Sequence, residues 1–258
     1  MNFVGDENIL ELNRVVMAFG GLMALSNISF QVKRGMIKAI IGPNGAGKTT
    51  LFNIITGSFS PTEGKIIFKG LPIEHIKAHK IAQRGISRTF QTVELFGNMT
   101  VLENVMLGCH TRIKSSFFSS GFQLPRVRRR EAQIKENAMK ILKFIGLVDK
   151  FNYNAGSLPL GEQKILEIGR ALASEPELIC LDEPAAGLNE TETHVASSLI
   201  RAINARGITV LLVEHDMKVI MNISDEIAVL NYGQKIAEGS PEEIQNNRRV
   251  IEAYLGSE

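Results

Sequence analysis

Two groups of residues, far apart in the chain, have the types and spacing that handle phosphate. The first is Gly42-Pro43-Asn44-Gly45-Ala46-Gly47-Lys48-Thr49, followed by Thr50, which fits G-x-x-x-x-G-K-[ST]. It follows a largely apolar strand, KAIIG, and opens a helical stretch, TTLFNIITG, which is the strand–loop–helix setting such a loop requires. Glycines let successive backbone N–H groups turn inward toward an anion. The helix N-terminus adds positive potential. Lys48 supplies a charge for β- and γ-phosphates, and the Thr49 hydroxyl is a ligand for Mg²⁺. The second group is Leu178-Ile179-Cys180-Leu181-Asp182-Glu183, an apolar strand ending in two carboxylates. Asp182 is placed to hold Mg²⁺, and Glu183, one step on, to act as general base on a water.

Elements able to position these residues are legible. Strand-like runs occur at Val15–Ala18, Asn27–Val32, Ile37–Ile41, Ile66–Lys69, Leu178–Asp182, Thr209–Val213, Ile227–Leu230 and Lys235–Ala237. Helical periods lie between many of them. In Ala132–Ile145 the apolar residues Ile134, Ala138, Ile141, Leu142 and Ile145 share one side, and Thr191–Ala205 reads as another helix. Alternating strands and helices predict an α/β core with a parallel sheet. The early strands are close together, with turns predicted at Lys33-Arg34-Gly35 and Thr62-Glu63-Gly64, so an antiparallel patch is expected on one side. From about Thr92 to Leu172 helical signal dominates. The chain is therefore read as one domain, 1–258. Residues 1–91 and 173–258 form the α/β core with its antiparallel patch, and 92–172 form an inserted helical subdomain. Within that insertion Ser115–Pro125 reads as a loop or lid.

Composition narrows the class. The chain has 258 residues, 44% hydrophobic and 22% charged, with a net charge of +2, so nothing in the bulk balance asks for nucleic acid. The arginines at 126, 128, 129 and 130 form the one dense basic run, read as a solvated loop or helix start. The two cysteines, Cys109 and Cys180, lack CxxC spacing and read as buried thiols in a reducing compartment. No signal peptide is legible at the N-terminus. Apolar runs such as Ile208 to Val213 are too short to cross a bilayer, so a membrane role would come through a partner.

The remaining motifs resemble those of ABC ATPases, in the family's order and over nearly the whole chain. Leu158-Pro159-Leu160-Gly161-Glu162-Gln163 resembles the signature motif, usually LSGGQ; Gln91 in Arg88-Thr89-Phe90-Gln91 resembles the Q-loop; Ala186-Gly187-Leu188-Asn189 resembles the D-loop; and His215 resembles the switch histidine. Phe19 sits where the family has an aromatic that stacks on adenine. RTFQ, LDEPAAGLN, VEHDMKVIM, KIAEGSPEEI and VIEAYLG look like the ATP-binding subunit of branched-chain amino acid ABC transporters, a subfamily with relatives for urea and short amides.

The resemblance implies a P-loop NTPase (RecA-like) core and an ATPase with ATP and Mg²⁺ as ligands. It implies Glu183, His215 and Gln91 as catalytic residues, and Thr49, Gln91 and Asp182 on the metal. Nucleotide would be held by Phe19, the loop Gly42 to Thr50, and Gly161 and Glu162 of a facing subunit. A second ABC ATPase subunit, identical or different with the resemblance favouring a different one, membrane-embedded permease subunits and, indirectly, a periplasmic or extracellular solute-binding protein are the implied partners. The implied place is the cytoplasmic face of the cell membrane.

Departures stand beside the likeness. Pro159 replaces the signature serine and offers neither a side-chain nor a backbone donor. Leu160 replaces its first Gly, Glu162 its Gln, and Asn189 the D-loop Asp. A soluble ABC-type ATPase of translation or DNA repair would usually carry two ATPase halves or a long coiled coil, whereas one set of motifs and no sustained heptads occur here. A GTP-dependent switch would need an N-K-x-D guanine reader, and none is present.

Overall fold

The computed structural model describes residues 8–109 and 125–255. The chain enters through β1 (Asn8–Phe19), turns at Gly20 and Gly21, and returns as β2 (Leu22–Lys33). These pair antiparallel and are joined by β4 (Glu63–Phe68) and the short β5 (Leu71–Pro72) in a four-stranded sheet ordered β2-β1-β4-β5. Val15–Ala18 is thus only the end of a 12-residue strand. The turn expected at Thr62-Glu63-Gly64 is instead the start of β4. Gly64, at φ 94°, lies against the Arg14 backbone, where a Cβ would come within 2.4 Å of the Arg14 oxygen. A register irregularity between Asn13 and Val16 lets Glu63 pair with Val16. The Arg34-Gly35 turn exists, but it leads from one sheet into another rather than closing a hairpin.

The second sheet has six strands ordered β10-β9-β3-β8-β7-β6. It comprises β3 (Ile37–Ile41), β6 (Ile86–Arg88), β7 (Leu178–Asp182), β8 (Thr209–Val213), β9 (Glu226–Asn231) and β10 (Gln234–Gly239). β3, β6, β7, β8 and β9 run parallel, and β10 folds back antiparallel on β9. Every residue of β3, β7 and β8 is buried, which is why each reads in the sequence as a mainly apolar run, interrupted in β3 by Lys38. Residues of β1, β2, β4, β3, β7 and β8 share one apolar core with Leu51, Phe52, Ile54 and Ile55 of α1 (Lys48–Ile55).

The sheets are also tied by a charge. Lys38 of β3 is fully buried, and its Nζ donates to the Gln31 carbonyl at 2.7 Å, to Glu226 at 2.6 Å and to Glu238. Losing one of those carboxylates would leave a buried cation incompletely paired.

Contacts divide the described chain into two bodies, residues 1–88 with 177–258, and residues 89–176. The first also holds α2 (Ala78–Arg84), α6 (Glu190–Asn204), α7 (Met217–Ile223), α8 (Pro241–Gln245) and α9 (Arg248–Leu255). The second is built on α3 (Val101–Cys109), α4 (Pro125–Phe144) and α5 (Leu160–Leu172). Of the set predicted by spacing, Ile134, Ala138, Leu142 and Ile145 form a buried face of α4 and the residue following it, and Ile141 is half-buried. The arginine run lies in the first turns of α4, with Arg129 and Arg130 exposed. The expected loop or lid, but for its last residue, lies outside the described residues. Cys180 is fully buried and its thiol is pushed up to about 12; Cys109 is half-buried, and both are free thiols. Among the described residues, no helix is long and apolar enough to cross a membrane.

Candidate functional site

β3 ends at Ile41 in the middle of the parallel sheet, and the chain leaves it through Gly42. At φ 152°, a Cβ on Gly42 would sit 2.1 Å from the Leu230 carbonyl oxygen of β9. Gly47, at φ 99°, would drive a Cβ to 2.6 Å from the Leu25 side chain and 2.9 Å from the Ala24 oxygen. Glycine at these two positions is therefore demanded by the packing of the loop against β9 and β2. Between them Ala46 is buried, whereas Asn44 and Gly45 are exposed and Pro43 is half-buried.

Gly47 is also the N-cap of α1 and gives no side-chain cap. The first-turn N–H groups of α1 are thus uncapped by a side chain, which is what an anion at a helix start uses. Lys48, buried, folds back so that Nζ donates to the carbonyls of Gly42 at 2.6 Å and Pro43 at 3.0 Å. Burial lowers its pKa, opposed by the nearby charges of Glu183 and Asp182. Thr49 is exposed and Thr50 half-buried on the first turn.

β7 brings Asp182 to the same end of the sheet, in register with Val213 of β8. Asp182 is 2% exposed, and burial raises its carboxyl above the usual range. Arg88 of β6 pulls it back: its Nη2 donates to Asp182 Oδ2 at 2.7 Å, and its Nη1 to Asn53 of α1 at 2.6 Å. A desolvated carboxylate at a strand end is a site where a divalent cation would favour the ionised form. Glu183 follows in a left-handed conformation, φ 49°, with its N–H donating to the Val213 carbonyl at 2.9 Å. That turn separates two neighbouring carboxylates, one buried along the strand and one half-buried beyond it.

His215, after β8, places Nδ1 3.9 Å from Glu183 Oε2 and 3.9 Å from Glu214 Oε2, with its side chain 61% exposed. Asn189 serves its own helix, where its side chain accepts from the Glu192 N–H in a capping box at the start of α6. Phe19 ends β1, is 42% exposed, and meets Phe59 edge to face with ring centroids 5.5 Å apart.

The first body thus brings together Lys48, Asp182, Glu183 and His215. Gln91, Gly161 and Glu162 belong to the second body. Gln91 is exposed in the segment after β6. Its neighbour Phe90 donates its N–H to Glu167 of α5 at 3.1 Å, and Arg170 of α5 donates to the Glu94 carbonyl. Glu167 is buried, which raises its pKa, while the Phe90 N–H acts the other way. At the start of α5, Pro159 is the N-cap, Leu160 is exposed and Gly161 is buried. Glu162 pairs with Lys150, Nζ to Oε2 at 2.6 Å.

Sequence reasoning missed the contacts of Arg88 and Glu214, although both residues fall within the motifs. Their partners lie in other strands or loops, and no local pattern announces such pairing.

The chain is similar to known proteins over almost its whole length. The family model for the ABC transporter matches residues 25–186, and that for the branched-chain amino acid ATP-binding cassette transporter matches residues 234–258. The high-affinity branched-chain amino acid transport ATP-binding protein LivG of Salmonella typhimurium is 45% identical, covering 97% of this chain and 99% of its own. The counterpart BraF of Pseudomonas aeruginosa is 44% identical, with 96% and 98% covered. A crystal structure of the ADP conformation of an ATP-binding cassette from an ABC transporter superposes with a TM-score of 0.86 at 35% identity, covering 98% of this chain and 100% of that one.

Proposed function

The chain belongs to the ABC transporter family of ATP-binding subunits, and from that premise we propose that it powers the import of branched-chain amino acids by hydrolysing ATP. The observation that carries the chemistry is the meeting of Lys48, Asp182, Glu183 and His215 at the end of the parallel sheet where the glycine loop turns. The match of residues 234–258 to the branched-chain amino acid model and the LivG and BraF likeness support the substrate class.

In this reading the loop Gly42 to Gly47 and the start of α1 hold the phosphates, with Lys48 as their counter-charge. Phe19 would offer a face for adenine, and Thr50, on the first turn of α1, would join the phosphate contacts. Thr49, Asp182 and Gln91 are the residues that would each offer a ligand to Mg²⁺, and the ion would supply positive charge against the phosphate oxygens. Glu183 accepts the proton of the attacking water. His215, within reach of Glu183, contacts the γ-phosphate and orients that water. Gly161 and Glu162 of a second ATPase subunit close over the nucleotide. Membrane-embedded permease subunits carry the solute, a solute-binding protein delivers it, and the chain sits peripherally on the cytoplasmic face of the membrane.

The test is uptake of labelled leucine by cells lacking the gene. Wild-type chain restores uptake, and Glu183→Gln does not. Undiminished leucine uptake without the gene overturns the substrate assignment. Capture of the chain from native membranes with no multi-span protein attached overturns the partnership.

A further inference from the structure

The parallel ladder between β7 and β8 pairs Asp182 with Val213 and closes on the hydrogen bond from Glu183 N–H to the Val213 carbonyl. Beyond that point the two chains separate into the loops that carry Glu183 and His215. A carboxylate stands in the gap. Glu214 has a fully buried side chain, Oε1 accepts the Ala185 N–H at 2.6 Å, and Oε2 accepts the N–H of His215 at 3.1 Å. Burial pushes its carboxyl up, while the N–H groups of Ala185, His215 and Asp216 pull it down. Pro184, between Glu183 and Ala185, has no N–H to give, so Ala185 is the first residue past Glu183 that can be held this way.

We infer that Glu214 is a positioning residue for hydrolysis: its carboxylate clamps the loop after β7 to the loop after β8, and so fixes the Glu183 carboxylate relative to the His215 imidazole. The inference rests on the roles given above to those two residues. The chemistry explains the residue type. The site needs an acceptor on each side, and only an ionised carboxylate offers acceptors alone on both oxygens. Glutamine has the same shape but presents an NH₂ group to one of the two backbone N–H donors. Charge-assisted bonds to a buried carboxylate are also about twice as strong as neutral ones. A carboxylate that touches no phosphate can therefore decide where two functional side chains stand.

The experiment uses the full-length chain and Glu214→Gln, with Glu214→Asp as a second variant whose shorter arm cannot reach both loops. Hydrogen exchange followed by mass spectrometry is expected to quicken together in peptides covering 183–188 and 214–217, by roughly tenfold, with other segments unchanged. Turnover is expected to fall by about tenfold while the ATP dissociation constant stays within about twofold, because the phosphate loop is untouched. In a His215→Ala background Glu214→Gln is expected to add little further loss, since it acts through that residue. Exchange that changes in neither loop, or in one alone, overturns the clamp, as does a turnover loss that multiplies in full with His215→Ala. Wild-type turnover in Glu183→Gln and His215→Ala would instead remove the assignment of those two residues, and the paired exchange result would still stand on its own.

Discussion

The loop Gly42 to Thr49 and the start of α5, Leu158 to Gln163, would both meet phosphate, yet the chain builds them under different constraints. At two positions of the loop, Gly42 and Gly47, the protein's own packing dictates the residue. A side chain on Gly42 would collide with the Leu230 backbone, and one on Gly47 with Leu25 and Ala24, whether or not a ligand is bound. At the start of α5 the departures fall on Pro159, Leu160 and Glu162. Leu160 is 46% exposed, and Glu162 has found a partner in Lys150. Proline suits a helix start, so that turn folds well without the serine. Positions enforced by a core keep their motif through folding alone. Positions enforced only by a ligand on another subunit have freedom to change, and the cost then appears in assembly rather than in stability.

The largest expected effect tests the first region. Glu183→Gln lowers kcat by about 10²–10⁴ while ATP still binds, whereas Lys48→Ala weakens binding itself by removing the charge against the phosphates. Steady-state hydrolysis beside ATP titration separates the two, and turnover by Glu183→Gln within a few-fold of wild type would sink the assignment. Next comes the second region. Pro159→Ser, made in the Glu183→Gln background, restores a donor to a charged oxygen in each composite site, worth about 1.5–3 kcal/mol apiece. Sedimentation with ATP should show the Glu183→Gln chain largely monomeric and the double variant self-associated. Equally tight homodimers for both would show that proline at the signature has no energetic consequence. It would also remove the ground for expecting a second, different ATPase subunit whose own signature serves this chain's phosphate loop.

A smaller effect is expected at the edge of the first region. Phe19→Ala weakens nucleotide affinity by ~1–3 kcal/mol, the range for base stacking on an aromatic side chain. Stacking tolerates base identity, so GTP is hydrolysed too, less well than ATP. An unchanged dissociation constant would show that Phe19 serves only to pack on Phe59. The smallest effect returns to the signature. Lys150→Met strips Glu162 of its counter-charge and places an uncompensated carboxylate where ATP of a facing subunit would lie. With both side chains about one-third exposed, the pair is worth only ~0–1 kcal/mol to stability. Melting should move little while ATP-driven association weakens by roughly two- to fivefold, and unchanged association would mean that Glu162 does not face nucleotide.

The loop and strand-end half of the candidate site was legible in the sequence because its signals are local. Central strands buried on both faces read as mainly apolar runs, so the bounds of β3, β7 and β8 matched those predicted. The glycine loop and the paired acids follow directly at the ends of such runs. Tertiary structure alone decided the full length of β1, whose paired face is set by strands that follow it, and the existence of β6, three residues long. It alone decided that Arg88 would meet Asp182 across 94 residues, and that Glu214, next to the histidine singled out by its motif, would reach back 29 residues to Ala185. No periodicity records such contacts. A buried charge must find its partner wherever the fold brings one, and that partner is chosen by the arrangement of strands in the sheet rather than by nearness in the chain.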